Sequence, residues 1–155
     1  MTSFKIYSKF AKEILSMKNA KRFAALFACL ILVVAMFTAC SGKFENVGAY
    51  LQDEEVAQEL EKELANWEGS GITMNVYADG NTLVYACAYD TQLDLSDETL
   101  KQSVVDALEA ASEEQRETYE DIAEALRTQV KGDDIKVRLV YSNADGSEIY
   151  SCEFE

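Results

Sequence analysis

Residues Phe23 to Ala39, FAALFACLILVVAMFTA, hold no charged side chain, no glycine and no proline. A small domain has nowhere to bury so long an unbroken apolar run. Its length is near the ~20 residues that cross the hydrocarbon core of a bilayer. Lys18, Lys21 and Arg22 precede it, and the small residues Thr38 and Ala39 close it. A basic flank, an apolar middle and a small-residue end are the parts of a secretory signal. The run therefore belongs to a membrane step, and the fold must be built from the residues C-terminal to it.

Cys40 comes directly after Thr38-Ala39 and is followed by Ser41-Gly42. This arrangement resembles the lipobox of bacterial lipoproteins, although Phe37 stands where that family usually carries an aliphatic residue. The resemblance implies that Cys40 receives a diacylglyceryl group on its sulfur and becomes the mature N-terminus. Two acyl chains hold a protein stably to a bilayer where one holds it marginally. The alternative is an uncleaved membrane-spanning helix. Met17 opens a signal of ordinary length and is read as the true start, with a long basic flank (Lys5, Lys9, Lys12) as the other reading. The chain divides into a signal peptide (1–39), a lipidated tether (40–52) and one acidic domain (53–155). The domain is expected on the outer, extracytoplasmic face of the cell membrane.

Positions 1–39 hold six of the 14 basic and one of the 28 acidic residues, so the remainder carries −19. Binding nucleic acid needs clustered Lys and Arg, so nucleic acid is excluded as a partner. The same charge opposes lying flat on anionic lipid, which leaves membrane attachment to the anchor. There is no histidine, so the usual general base and the commonest metal ligand are missing. Of four cysteines, Cys29 lies in the apolar run and Cys40 at the attachment site. Cys87 and Cys152 remain for the domain.

Asp53-Glu54-Glu55 opens a helix, with acidic residues at the positive end of its dipole. Val56, Leu60, Leu64 and Trp67 fall on one face, so Trp67 reads as core. Gly69-Ser70-Gly71 stops it. Ile72–Tyr77 alternates apolar and polar, Asp79-Gly80 signals a tight turn, and Asn81–Tyr89 returns. A turn at Asp79-Gly80 pairs Val76 with Leu83, Met74 with Tyr85 and Ile72 with Cys87. Ser96 or Asp97 then caps a helical stretch to near Val130. Ser112–Gln115 looks like a capping box inside it, but no Gly or Pro interrupts, so one bent helix is expected rather than two. Ile135–Tyr141 and Glu148–Phe154 form a second hairpin. Its apolar pairs are Tyr141–Tyr150, Leu139–Cys152 and Val137–Phe154, with Arg138–Glu153 and Lys136–Glu155 on the other face.

The order αββαββ implies an α+β fold with helices on one face of a four-stranded antiparallel sheet. Keeping every neighbour antiparallel allows strand orders 1-2-4-3 and 2-1-3-4. The first is preferred, because Lys136 and Arg138 suit an edge strand while Val84, Ala86 and Ala88 suit a central one. It equals a circularly permuted ferredoxin-like sheet. It also makes strands two and four neighbours, so Cys87 and Cys152 are a candidate disulfide if their Cα atoms lie within roughly 7 Å. Two buried free thiols are the alternative.

The segments YLQDEEV, DGNTLVYACAYD, YEDIAEALR and VRLVYSNADGSEIYSCEF resemble a family of small Gram-positive lipoproteins of unknown function. The resemblance spans Tyr50 to Phe154. It implies the same anchored architecture and carries no activity with it.

Abundant carboxylates raise the question of a glycosidase, which needs two of them across a cleft, one with a raised pKa. Acids on the faces of helices provide no such cleft. Asp133-Asp134 and Asn143–Glu148 offer oxygens without the spacing of a calcium loop; they read as a helix exit and a hairpin turn. No cofactor motif occurs. The sheet's outer face is the better lead: Tyr77, Val84, Val140 and Ile149, flanked by Arg138, form a candidate partner surface. The reading is a non-catalytic, lipid-anchored envelope module that binds an envelope protein, peptide or glycan. The alternatives are an acidic surface spacer without a discrete ligand and, last, a carboxylate hydrolase.

Overall fold

The computed structural model describes residues 44–155. The expected signal segment and the candidate attachment residue Cys40 lie outside the described residues. The elements are α1 (Val47–Leu51), α2 (Glu54–Ala65), β1 (Ile72–Asp79), β2 (Thr82–Tyr89), α3 (Glu98–Glu114), α4 (Arg116–Gln129), β3 (Lys136–Ser142) and β4 (Glu148–Phe154). Carboxylates start two of the helices. Asp53 accepts from the backbone N–H groups of Glu55 and Val56, and Asp97 from those of Thr99 and Leu100. Each satisfies donors that a helix start leaves open.

The strands form one mixed sheet in the order β1-β2-β3-β4. β1–β2 and β3–β4 are antiparallel, and β2 runs parallel to β3. The all-antiparallel 1-2-4-3 sheet, and with it the permuted ferredoxin-like reading, is thereby overturned. Residues 90–135, with α3 and α4, make a connection long enough to bring β3 alongside β2 in the same direction. Requiring every neighbour to be antiparallel excludes the observed order, and Lys136 and Arg138 are not the edge markers they resemble. They stand on a central strand, and their long side chains reach carboxylates on both edge strands.

The β1–β2 turn is Gly80-Asn81, since Asp79 pairs with Thr82. Gly80 takes the positive φ of 60° that this tight turn needs. Val76 therefore faces Tyr85, Met74 faces Cys87 and Ile72 faces Tyr89. The expected register was two residues off, a shift that keeps every side chain on its face. The β3–β4 register is as expected, with a bulge between Tyr141 and Ser142.

The long helix is broken. Gln115 leaves helical geometry (φ −106°, ψ 10°), ending α3 and preceding α4 without a side-chain cap. Arg116 bridges the break through Glu113 and Glu120, and its guanidinium lies 5.2 Å from the Phe154 ring centroid. The break lets α3 pack on β4 while α4 packs on β3 and β4. Tyr119 stacks on Phe154 with centroids 4.8 Å apart. Ile122, Leu126, Tyr85, Leu139 and Val137 complete the middle of the core.

The segment before α2 belongs to this core as well. Val47 and Tyr50 are fully buried, and Phe44 packs edge-on against Tyr50 at 5.4 Å. Phe44 N–H donates to Gln129 O (2.6 Å), and Lys131 N–H donates to Phe44 O (2.8 Å). An ion pair between Glu45 and Lys131 flanks this bridge.

Candidate functional site

The helices cover one face of the sheet, and strand burial alternates accordingly. On β1, Met74 and Val76 are buried while Thr73, Asn75, Tyr77 and Asp79 are exposed. Strand register sets the outer face in rows. One row runs Tyr77, Val84, Arg138, Glu153 across all four strands, and the next runs Asn75, Ala86, Val140, Ser151. Ala86 and Ala88 on β2, small and half-buried, leave a low strip between β1 and β3 in the rows beyond Val84. Tyr77 is 44% exposed, the one large apolar side chain so exposed among the described residues.

Arg138 donates to Glu153 Oε1 through Nε (2.8 Å) and Nη2 (2.7 Å), and to Asp79 Oδ2 through Nη1 (2.9 Å). Its pKa is pushed upward by these carboxylates, first by Glu153. Lys136 reaches Glu153 and Glu155; Glu155 raises the Lys136 pKa, and Lys136 in turn lowers that of Glu155. The cations of this face are thus satisfied within the chain. An incoming anion would have to displace a carboxylate, so recognition here rests on the apolar strip and its acidic margins.

The candidate surface residues divide. Tyr77, Arg138 and Val140 lie on the outer face together. Val84 lies between Tyr77 and Arg138 but is 0% exposed, so it is the floor of the face rather than a contact. Ile149 falls at the β4 bulge and packs against the core; it leaves this surface.

Cys87 and Cys152 carry free thiols. β3 lies between them, with Cys87 opposite Tyr141 and Cys152 opposite Leu139. Two strand spacings of ~4.8 Å already exceed the reach of a disulfide, so the candidate bond is excluded by the sheet order. Burial pushes the Cys87 pKa up to about 12, which suppresses its thiolate. Alkylation in denaturant without reductant is expected to modify both cysteines. A protected Cys87–Cys152 peptide pair would contradict the strand order itself.

At the opposite end of the sheet from Gly80 lies a shallow cleft of about 510 Å³ lined by Gln92–Leu95, Lys101, Asn143 and Ser147–Ile149. Its wall is a polar zipper that no spacing in the sequence announced. Asn143, 4% exposed, accepts from Leu93 N–H (2.7 Å) and donates to Leu93 O (2.9 Å). Gln92 likewise accepts from Asp145 N–H and donates to the Asp145 carboxylate. Asn143→Leu would strip both Leu93 groups of their partner. A loss of about 2 kcal/mol in urea unfolding is expected, from the cost of unmade buried hydrogen bonds; a change below a few tenths would show the zipper to be ornamental.

Asp134 holds the Asn81 side chain at 3.0 Å. Among the described residues, no three His, Cys, Asp or Glu side chains converge as a metal site requires. No curated protein and no solved structure matches the chain. A family model described as "Domain of unknown function (DUF4854)" matches residues 47–154. That span is the described fold almost end to end, and the chain belongs to this family of unknown function.

Proposed function

We propose that this chain is an exported lipoprotein, anchored through Cys40, whose domain binds a partner at the cell envelope through the outer face of its sheet without catalysing a reaction. The observation that carries the binding reading is the four-stranded face left bare of helices, with Tyr77 standing 44% exposed opposite Val84 and with Ala86 and Val140 in the next row. A spacer has no need of an exposed ring over an apolar strip. The carboxylates support the non-catalytic part. Each resolved shift among them is downward: Asp94, Glu113, Asp134, Asp145 and Glu155. A general acid needs the opposite. Export and the anchor rest on the charge-free run and on the lipobox resemblance at Cys40.

A photocrosslinking residue at Tyr77, in cells expressing the full chain, is expected to give a discrete adduct with an envelope protein, peptide or glycan. The same residue at Glu61 on α2 is expected to give none. Tyr77→Asp should remove partner capture with the fold intact. Arg138→Gln, which releases Asp79 and Glu153, should weaken capture while the fold survives. Equal adducts from both positions, or capture indifferent to Tyr77→Asp, would remove the face from consideration. Mass spectrometry of the membrane fraction tests the anchor: a mature N-terminus other than diacylated Cys40 overturns it.

A further inference from the structure

We infer that the domain stands end-on at the bilayer, with its Gly80 end toward the lipid headgroups and the cleft end pointing away. The inference rests on the membrane reading above, but on either form of it. Cys40 lies four residues before Phe44, and the charge-free run ends one residue earlier. Four extended residues reach at most ~14 Å, and five ~18 Å. At Phe44 the slack ends, because both of its backbone groups are bonded to Gln129 and Lys131.

That anchor point lies at a defined end of the sheet. Gly132, one residue past Lys131, sits against the Asn81 side chain of the β1–β2 turn. Gly48, just after Phe44, faces Ala78 near the end of β1. Lys136 N–H bonds Asn81 O at the same end. The Leu93–Asn143 zipper and its cleft belong to the other end, beyond Tyr89 and Ser142. Eight-residue strands put roughly 25 Å between the two ends. A link of ~14 Å cannot bring the far end to the headgroups unless the domain tips over onto its side.

Charge opposes tipping onto the helices. α2 alone carries five glutamates against Lys62, and α3 with α4 adds nine carboxylates against Lys101, Arg116 and Arg127. An anionic leaflet repels such a layer within a Debye length, ~8 Å at physiological salt. Short tether and acidic flank together hold the sheet upright. Its outer face is then turned sideways, open to a neighbour in the plane of the envelope, and the cleft end projects.

The test uses the full chain reconstituted in vesicles of equal parts phosphatidylglycerol and phosphatidylethanolamine, with a nitroxide quencher on the lipid headgroup. A fluorophore is placed by Asp133→Cys at the anchored end, Thr91→Cys at the far end or Glu61→Cys on α2, each in a Cys152→Ser background. Quenching at position 133 is expected to exceed that at 91 and 61 several-fold. About ten Gly/Ser residues inserted after Gly42 add a flexible span of roughly 15–20 Å, and should erase the difference between 133 and 91, while the acidic flank keeps 61 the least quenched. Equal quenching at all three positions in the chain without the insertion overturns the inference. So does a difference between 133 and 91 that survives the insertion, since the two ends of the domain would then be sorted by their own surfaces and not by the tether. A chain that fails to float with the vesicles overturns the membrane reading and the orientation with it.

Discussion

Raised through pH 10 to 12, the domain is expected to unfold in one cooperative step and to release its buried tyrosine protons together. Tyr50, Tyr85, Tyr119 and Tyr141 are each less than a tenth exposed. Each has a pKa pushed well above the ordinary value of 10.0, first by burial, which penalises the phenolate. Neighbours add to it: Asp53 for Tyr50, Tyr50 for Tyr85, and first Tyr141 for Tyr119. Above pH 10 the unfolded chain gives up these protons and the folded chain keeps them. The folded state then binds more protons, so stability falls as pH rises. Each such tyrosine costs about 1.4 kcal/mol per pH unit above 10, and four cost about 5–6. A domain of this size has on the order of 5–15 kcal/mol to lose. Cys87 and Tyr89, both raised to about 12, act in the same direction. Tyrosinate absorbance and far-ultraviolet circular dichroism should therefore change at one midpoint. Tyr50→Phe should move that midpoint upward: it removes one of the four phenols, and its buried hydroxyl has no hydrogen-bond partner to lose. Tyrosines titrating one by one near pH 10 in a chain that keeps its dichroism would refute the account.

The same tyrosines show what could be read from the chain and what could not. Alternation placed Tyr85, Leu139, Tyr141 and Phe154 on the covered face, because a period of two survives a register error of two. Local chemistry also revealed the two helix starts, at Asp53 and at Ser96 or Asp97, of which Asp97 is the cap, and the β3–β4 pairing, each determined by residues close in sequence. Strand order was hidden because β2 meets β3 across the 90–135 connection, and no local pattern reports which edges meet. Lys136 and Arg138 then misled, since a cation reaching over small side chains to a distant carboxylate looks the same in sequence as one pointing into water. The helix break was signalled by Ser112–Gln115 but outweighed, because Gln115 is neither Gly nor Pro. At the break Arg116 bridges Glu113 and Glu120 and lies over Phe154, from the far end of the chain. Of the candidate face, Tyr77 was legible from alternation alone. Ile149 was lost to a bulge that shifts β4 against Ser142, and Val84 to neighbours that roof it. Gln92 and Asn143 gave no signal, being amides some fifty residues apart.

Starting the chain at Asp53 is expected to yield a polypeptide that does not fold, whereas starting it at Lys43 costs nothing measurable. Residues 40–52 read as a tether, and a tether can be cut without consequence. From Phe44 onward, however, the segment fills the core between β1 and the end of α4. Val47 and Tyr50 are 0% and 1% exposed, and Phe44 and Leu51 pack against them from the side. Fully burying one such side chain contributes about 1.5–3 kcal/mol. Val47 and Tyr50 with two half-buried partners therefore contribute on the order of 5–8 kcal/mol, comparable to the whole stability of a small domain. Cutting also uncovers Ala78 and Val130, and strips Gln129 O and Lys131 N–H of the partners that Phe44 provides. Thermal melts of chains 43–155 and 53–155 decide the matter: a cooperative transition is expected from the longer one only. A synthetic peptide of residues 44–52 should restore a transition to the shorter chain, because the elements it packs on, β1 and α2, and its bridge partner Val130 remain. If chain 53–155 melts cooperatively within a few degrees of its longer counterpart, the segment is an appendage. The ~14 Å reach inferred for the proposed anchor would then fail as well.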